Sequence, residues 1–431
     1  MKSSRFLLII AILALLGAVL LLSPTLIRAL PGRYAVYLPD PLQEMRHRPH
    51  PDLLPTSAIT PQGPSATSSP SSTPLPTETP SPTNTPLPTE TAEPTDTPTP
   101  TPAPSPTLPA VFTLTGVRHE HQGWNNCGPT TLAMALSHCE RDETQAQIAP
   151  ILKPDPEDKN VGPSEMASYT RDLGLGATIR VDGTLEGLKE LVRAGFPVIV
   201  ETWYVRDAED QLGHYRLIVG YDDDAQHFIT YDSLHGPDVM VGYREMDELW
   251  RVFNRLYLVI YRPERWDALA AILGPDVDDT TMYEGALERA RVEAENPPES
   301  CVAYADCVDW VTFSHFNVGS SLTSLGRHEE AAAAYDQARR LGLHYRMLWY
   351  QFGPYESYYA VGRYEDVIAL AEATLASARN LEESYYWRGK ARLALGDVQG
   401  ARSDFNTALR YHQGWPPAQM ALNELEQSSN G

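Results

Sequence analysis

The sequence predicts an α+β domain over residues 111–263 and an all-α repeat domain over 279–428, preceded by an apolar segment and a disordered linker. Three observations predict this. Between Val111 and Pro263, helical patterns come first and strand patterns after, the order of helices set against an antiparallel sheet. Near the C-terminus, glycine-led segments recur at steps of 36 and 34 residues. Residues 50–110 are Pro, Thr and Ser with a few acids and too little apolar surface to offset the entropy of ordering.

The chain has 431 residues, enough for two or three domains, and a net charge of −22. No basic stripe appears, so a nucleic-acid partner is not expected. In residues 1–30, Lys2 and Arg5 precede an apolar run of 17 residues, Phe6–Leu22. Its flanking charges predict an N-terminus inside and the rest of the chain outside the cytoplasm. Arg28 beside Ala29 makes a poor cleavage site, so the run reads as a single-pass anchor. The alternative is a removed signal peptide and a secreted product. Residues 31–110 form the linker, with no Lys or Arg between Arg48 and Arg118. Its prolines favour polyproline II, a stalk that holds the domains off the membrane.

The α+β segment opens on a helix expected over Thr130–Cys139, with Pro129 suited to its first turn. Helices follow near Glu143–Leu152, Pro163–Leu173 and Thr184–Ala194, the last ended by Gly195. "FPVIVETWYV" (196–205) reads as a buried strand, and 213–233 as two strands joined by a turn at Asp222–Gln226. "VMVGY" and "RLYLVIY" (255–261) are two more. Asp222, Asp223 and Asp224 are expected to be a solvated turn.

The stretch "HQGWNNCGP" (121–129) places Cys127 at the start of the first helix, where backbone N–H groups and the helix dipole favour a thiolate. A thiolate nucleophile needs a base, an orienter for the base and donors for an oxyanion. His214 begins one hairpin strand and Asp232 ends the next, so the two fall roughly opposite each other. Each has an ordinary reading as well: a packed thiol, a capping histidine, a turn aspartate. His119, His121, His227 and His235 read as surface residues. Cys127, Cys139 and the nearby histidines lack zinc-ligand spacing, so no metal or cofactor is expected.

From about Thr115 to Ser233 the sequence resembles the papain-like cysteine peptidases of family thirty-nine, the double-glycine leader peptidases and their stand-alone relatives. Gln122 with "NNCGPTTLAMAL", "GFPVIVETWY", "LGHYRLIVGYDDD" and "FITYDS" carry the likeness. It implies a papain-like fold, with Gln122 as oxyanion donor, Cys127 as nucleophile, His214 as base and Asp232 as orienter. Ser233 stands where relatives often have proline. No ATP-binding or export segment accompanies the domain, so cleavage after double glycine is not carried over.

In the C-terminal segment, "GRHEEAAAAYDQA" (326–338), "GRYEDVIALAEAT" (362–374) and "GDVQGARSDFNTA" (396–408) align on their glycines. The pattern resembles the tetratricopeptide repeat, in which small residues sit where paired helices cross. Those positions are Gly319, Ala331 and Ala338 in the first repeat and Gly389, Ala401 and Ala408 in the third. The middle repeat has Tyr355, Val367 and Thr374 there, with Ala371 in place of a large aromatic. An extra helix is expected near Thr280–Glu295. The repeats are expected either to bind a peptide or protein partner on a concave face or to cap the preceding domain. Tyr345, Trp349, Tyr350, Phe352, Tyr355, Tyr358 and Tyr359 read mostly as core, and Cys301 with Cys307 as a small-loop disulfide.

These features predict a membrane-tethered, extracytoplasmic cysteine peptidase acting on peptide substrates through Cys127, His214, Asp232 and Gln122. A non-catalytic peptide-binding module and an acyl or peptide transferase using the same residues are the alternatives.

Overall fold

The computed structural model describes residues 54–55, 109–206, 210–302 and 308–429. The expected anchor at Phe6–Leu22 and almost all of the linker lie outside the described residues, as does Cys307. Among the described residues no helix is long and apolar enough to cross a membrane.

The first segment is helices on an antiparallel sheet. Its elements are β1 (Val111–Thr113), α1 (Cys127–His138), α2 (Gln145–Leu152), α3 (Pro163–Asp172), β2 (Gly176–Arg180), α4 (Leu185–Arg193), β3 (Val198–Val205), β4 (Gln211–Asp222), β5 (His227–Asp232), β6 (Gly236–Gly242), α5 (Tyr243–Trp250), β7 (Tyr257–Tyr261) and α6 (Trp266–Leu273). The sheet order is β2-β7-β3-β4-β5-β6, with β1 added against β4. Helix α1 begins three residues earlier than the periodicity predicts, because the polar "CGP" turn is already helical. β1, β2, α5 and α6 are additions to the elements read from sequence. β1 has three residues and β2 five, too short for a clear alternation.

α1 packs on the sheet through a stripe in which Leu132, Met134, Ala135 and Leu136 are wholly buried beside Leu217, Ile218 and Val219 of β4. Small residues at 128–135 bring the helix close. A Cβ on Gly128 would stand 3.2 Å from Val161 and 3.6 Å from the Tyr215 ring. The N-terminus of α1 is thereby fixed over β4.

The second segment is a run of helices: α7 (Asp279–Glu295), α8 (Val308–Ser324), α9 (His328–Arg340), α10 (Gly353–Ala360), α11 (Tyr364–Ser377), α12 (Glu382–Ala394), α13 (Val398–Tyr411) and α14 (Pro416–Ser429). Gly326, Gly362 and Gly396 close the turns between paired helices at φ of 70°, 76° and 85°, a conformation that favours glycine. Where α8 crosses α9, a Cβ on Gly319 would stand 2.6 Å from the Tyr335 ring; Gly389 and the Phe405 ring repeat this where α12 crosses α13. In the middle pair the volumes are exchanged. Tyr355 takes the glycine position and Ala371 the aromatic one, and both are fully buried. The Tyr355 hydroxyl donates to Thr374 Oγ1 at 2.9 Å. The irregular middle repeat is therefore compensated in volume.

The two segments share one hydrophobic cluster. Trp203 of β3 with Leu249, Val252 and Phe253 joins Phe313, Tyr335, Trp349, Tyr350 and Tyr355. Buried Arg251 stacks on Trp310 at 3.5 Å and donates to the Trp310 carbonyl at 2.8 Å. Arg255 pairs with Glu293 at 2.7 Å, and Arg346 Nη1 with Asp210 at 2.7 Å. The helices thus do cap the α+β segment. Of the seven aromatics expected in the core, Trp349, Tyr350, Tyr355 and Tyr358 are buried, while Tyr345, Phe352 and Tyr359 are half-buried. Cys301 is disulfide-bonded, and Cys127 and Cys139 are free thiols.

Candidate active site

The loop before α1 is held by one side chain. Gln145 Oε1 accepts from Gly123 N–H at 2.6 Å and Asn126 Nδ2 at 3.1 Å, while its Nε2 donates to Glu120 at 2.8 Å and to the His121 carbonyl at 2.6 Å. Asn125 turns the chain at φ 52°, which asparagine tolerates better than most residues. Cys127 then begins α1, with Asn126 as the N-cap.

His214 and Asp232 meet as the hairpin predicts, on a different register. Asp232 pairs across the strands with Arg216, not His214: the hairpin closes with Asp222 opposite His227, which would set Asp232 against Leu217, and a bulge between Ile218 and Gly220 moves it to Arg216. His214 and Arg216 lie on the same face two residues apart, so Asp232 reaches both. Its Oδ1 is 3.0 Å from His214 Nε2, and its Oδ2 accepts from Arg216 Nε at 3.0 Å. The N–H groups of Leu234 and His235 also donate to Oδ1, at 2.8 and 3.1 Å. Burial alone would push Asp232 up, but the His214 hydrogen bond, the charge His214 carries when protonated, the Arg216 charge and the Leu234 N–H hold it well below the usual carboxylate range. An ionised Asp232 accepts the His214 Nε2 proton, which leaves Nδ1 with its lone pair. Burial pushes the His214 imidazolium down, and Asp232 offsets part of this. The ring is held neutral and able to take a proton.

Pairing between β4 and β5 stops at Arg216 with Asp232, so the start of β4 is paired with β3 alone. Gln122 and Cys127 approach this opening. The Gln122 N–H donates to the Ser233 carbonyl at 2.8 Å, and Ser233 Oγ donates to Gln122 Oε1 at 2.7 Å. Ser233 therefore ties Gln122 to the turn after Asp232. The anchored oxygen leaves the amide N–H groups as the donors the site can use. His119, read as a surface residue, is half-buried instead, with Nε2 3.0 Å from the Asp232 carbonyl.

The Cys127 sulfur faces the backbone N–H of Tyr215, the residue after His214, and that of Gly128. Among the described residues there is no hydrogen bond between Cys127 and His214. The expected bias towards a thiolate is also reversed. Burial pushes the thiol up, and the two N–H groups and the Lys153 charge recover only part of it, while Glu201 adds to the rise. Cys127 as a residue is half-buried, but its sulfur is enclosed by protein, and loss of water outweighs the helix N-terminus.

Arg216, Gln145, Lys153 and Glu201 were missed by sequence reasoning. Only Arg216 carried a signal, through the two-residue period that puts it on the His214 face. Glu201 is opposite Tyr215 on β3 and 1% exposed, with Oε2 unpaired among the described residues. Burial pushes it up to about 8, with the Tyr215 hydroxyl drawing it back. The folded state then holds a proton on Glu201 that the unfolded state releases near pH 4.3. Stability from this group is complete below that value and falls as pH rises through about 8. Glu201→Gln is expected to resist urea better than wild type at alkaline pH, with the gap closing in acid. Parallel pH dependences of the two proteins would contradict it.

Apart from this site, Glu165, Glu382 and His412 bring possible ligand atoms within 4.8 Å of one another. His412 Nδ1 already bonds Glu382 at 2.6 Å there.

No curated protein matches the chain. Among the solved structures that match, two align with different parts of it. A chain described as a C39-like peptidase from Bacillus anthracis aligns at 17% identity and a TM-score of 0.30, over 35% of this chain and 98% of its own. The first TPR of Spaghetti (RPAP3), bound to an HSP90 peptide, aligns at 18% identity and a TM-score of 0.25, over 28% of this chain and 94% of its own. Residues 114–260 match the model of the Peptidase_C39 like family, and the α+β segment is a Peptidase C39-like domain followed by a helical C-terminal region.

Proposed function

We propose that the α+β segment is a thiol peptidase with Cys127 as nucleophile, His214 as base, Asp232 as orienter and Gln122 as oxyanion donor. The observation that carries this reading is the buried His214–Asp232 hydrogen bond, which leaves His214 Nδ1 as an acceptor beside the strand opening that Cys127 reaches. The resting pair is a neutral thiol and a neutral imidazole. As the sulfur bonds to the scissile carbonyl carbon, its proton passes to His214. The carbonyl oxygen becomes negative and takes hydrogen bonds from the Gln122 amide and the N–H groups at the start of α1. His214 then gives the proton to the leaving amine as the C–N bond breaks. Water, deprotonated by His214, releases the acid and restores the thiol. No cofactor enters.

A second reading, a peptide-binding module that does not cleave, is favoured by the raised thiol and the missing Cys127–His214 hydrogen bond. Incubation of the full chain with a diverse peptide mixture separates the two. New termini that vanish with Cys127→Ala support cleavage. Peptides retained uncut overturn it in favour of binding, and cuts that persist in Cys127→Ala overturn Cys127 as nucleophile.

The site would work outside the cytoplasm, tethered by Phe6–Leu22, with Lys2 and Arg5 on the inner side. A reporter fused after Ala110 should be active only outside, and a cytoplasmic signal overturns the placement.

A further inference from the structure

The helical segment reaches the strand that carries His214. Tyr350, which follows the short 3-10 turn Tyr345–Trp349, lies against Gly213, the residue before His214. A Cβ at Gly213 would stand 3.0 Å from the Tyr350 ring and 3.1 Å from Phe253, so a side chain there would press both rings outward. The Tyr350 oxygen faces the Gly213 N–H and interacts electrostatically with Cys127 and Glu201. Gly213 and Tyr215 share one sheet face, and Gly128, the residue after Cys127, packs on that face, where a Cβ would stand 3.6 Å from the Tyr215 ring. Tyr350 and Cys127 are thus neighbours across two strand residues.

Tyr350 is not poised to swing away. It is 8% exposed and packed edge-on against Trp203 and Phe253, with ring centroids 6.3 and 5.9 Å away. The turn before it is clamped to the start of β4, where Arg346 Nη1 donates to the Gln211 carbonyl at 2.8 Å and to Asp210 at 2.7 Å. A flexible lid would lack such a buried, charge-assisted attachment.

We propose that Tyr350 is a specificity-determining residue, a fixed wall supplied by the helical segment that limits how bulky a group can approach Cys127 from the Gly213 side. The inference rests on Cys127 being the reacting group, and it deepens that reading by assigning a narrow site to it. Substrates with a slender or extended backbone at this position would pass, and those with a bulky group would be held off.

The test compares two reagents of one chemistry and different size, N-methylmaleimide and fluorescein maleimide. Each is reacted with the full chain at about pH 9, where ordinary thiols ionise, and modification of Cys127 is read by peptide mapping. The ratio of bulky to small rates is expected to be low in wild type, to rise about tenfold in Tyr350→Ala, and to stay at the wild-type value in Tyr350→Phe, which keeps the ring. If Tyr350→Ala does not fold by circular dichroism, Tyr350→Leu gives the same comparison with a shorter side chain. A wild-type ratio in a folded Ala or Leu variant overturns the wall. Slow labelling that is still size-selective would spare the wall and sink the activation of Cys127 by His214. Fast, size-blind labelling would do the reverse.

Discussion

Asp232→Ala is expected to destabilise the protein by about 3–5 kcal/mol, the range for removing one partner of a buried ion pair. Asp232 is wholly buried and accepts from His214, Arg216 and two backbone N–H groups. Its loss leaves the Arg216 guanidinium, 7% exposed, without its carboxylate, although Thr202 still bonds it. The carboxylate is held below its usual range, so its stabilisation is complete above about pH 4 and is lost as pH falls through the folded value. Urea unfolding at neutral pH measures the effect, and a loss under about 1 kcal/mol would mean that water or another group replaces the carboxylate. The double variant Asp232→Ala, Arg216→Met should recover part of the loss, since the stranded charge goes with it.

His214→Ala is expected to lower peptide cleavage by about 10²–10⁴, the usual worth of a positioned acid–base group. The effect should sit near the top of that range, because the neutral His214 must accept a proton from a thiol that burial keeps protonated. A thiolate formed by the helix alone would react without the base; a thiol raised by desolvation cannot. Rates of appearance of new peptide termini measure the loss. A variant within about threefold of wild type would place the base elsewhere, with Glu201 and Lys153 the charged groups that act on the thiol.

How much of this was legible in the sequence depends on distance along the chain. Cys127, Gly128 and Pro129 announce a helix start, and His214 with Asp232 follow from one hairpin, a local unit. The bulge at Ile218 and Gly220 has no clear sequence signature, so the diagonal reach of Asp232 to His214 and its bond to Arg216 were not foreseen. The thiol's charge was misjudged because a helix N-terminus is visible in sequence and desolvation is not. Trp203 illustrates the limit. In "FPVIVETWYV" it reads as sheet core, yet it packs in the cluster that contains Phe313 and Tyr350, from the helical segment more than a hundred residues on. The exchange of Tyr355 and Ala371 is similar: each breaks the repeat pattern alone, and only the packed pair shows that volume is conserved.

The central claim is that His214 draws the proton from Cys127, and the pH dependence of Cys127 alkylation by iodoacetamide tests it most directly. In the wild-type full chain, modification followed by peptide mapping should proceed across neutral pH and fall only where His214 becomes protonated, below its ordinary value of about 6.5. In His214→Ala the reaction should require alkaline pH, above the ordinary thiol value of about 8.5, because the two N–H groups and the Lys153 charge offset only part of what burial does. Superimposable profiles for the two proteins would contradict the account.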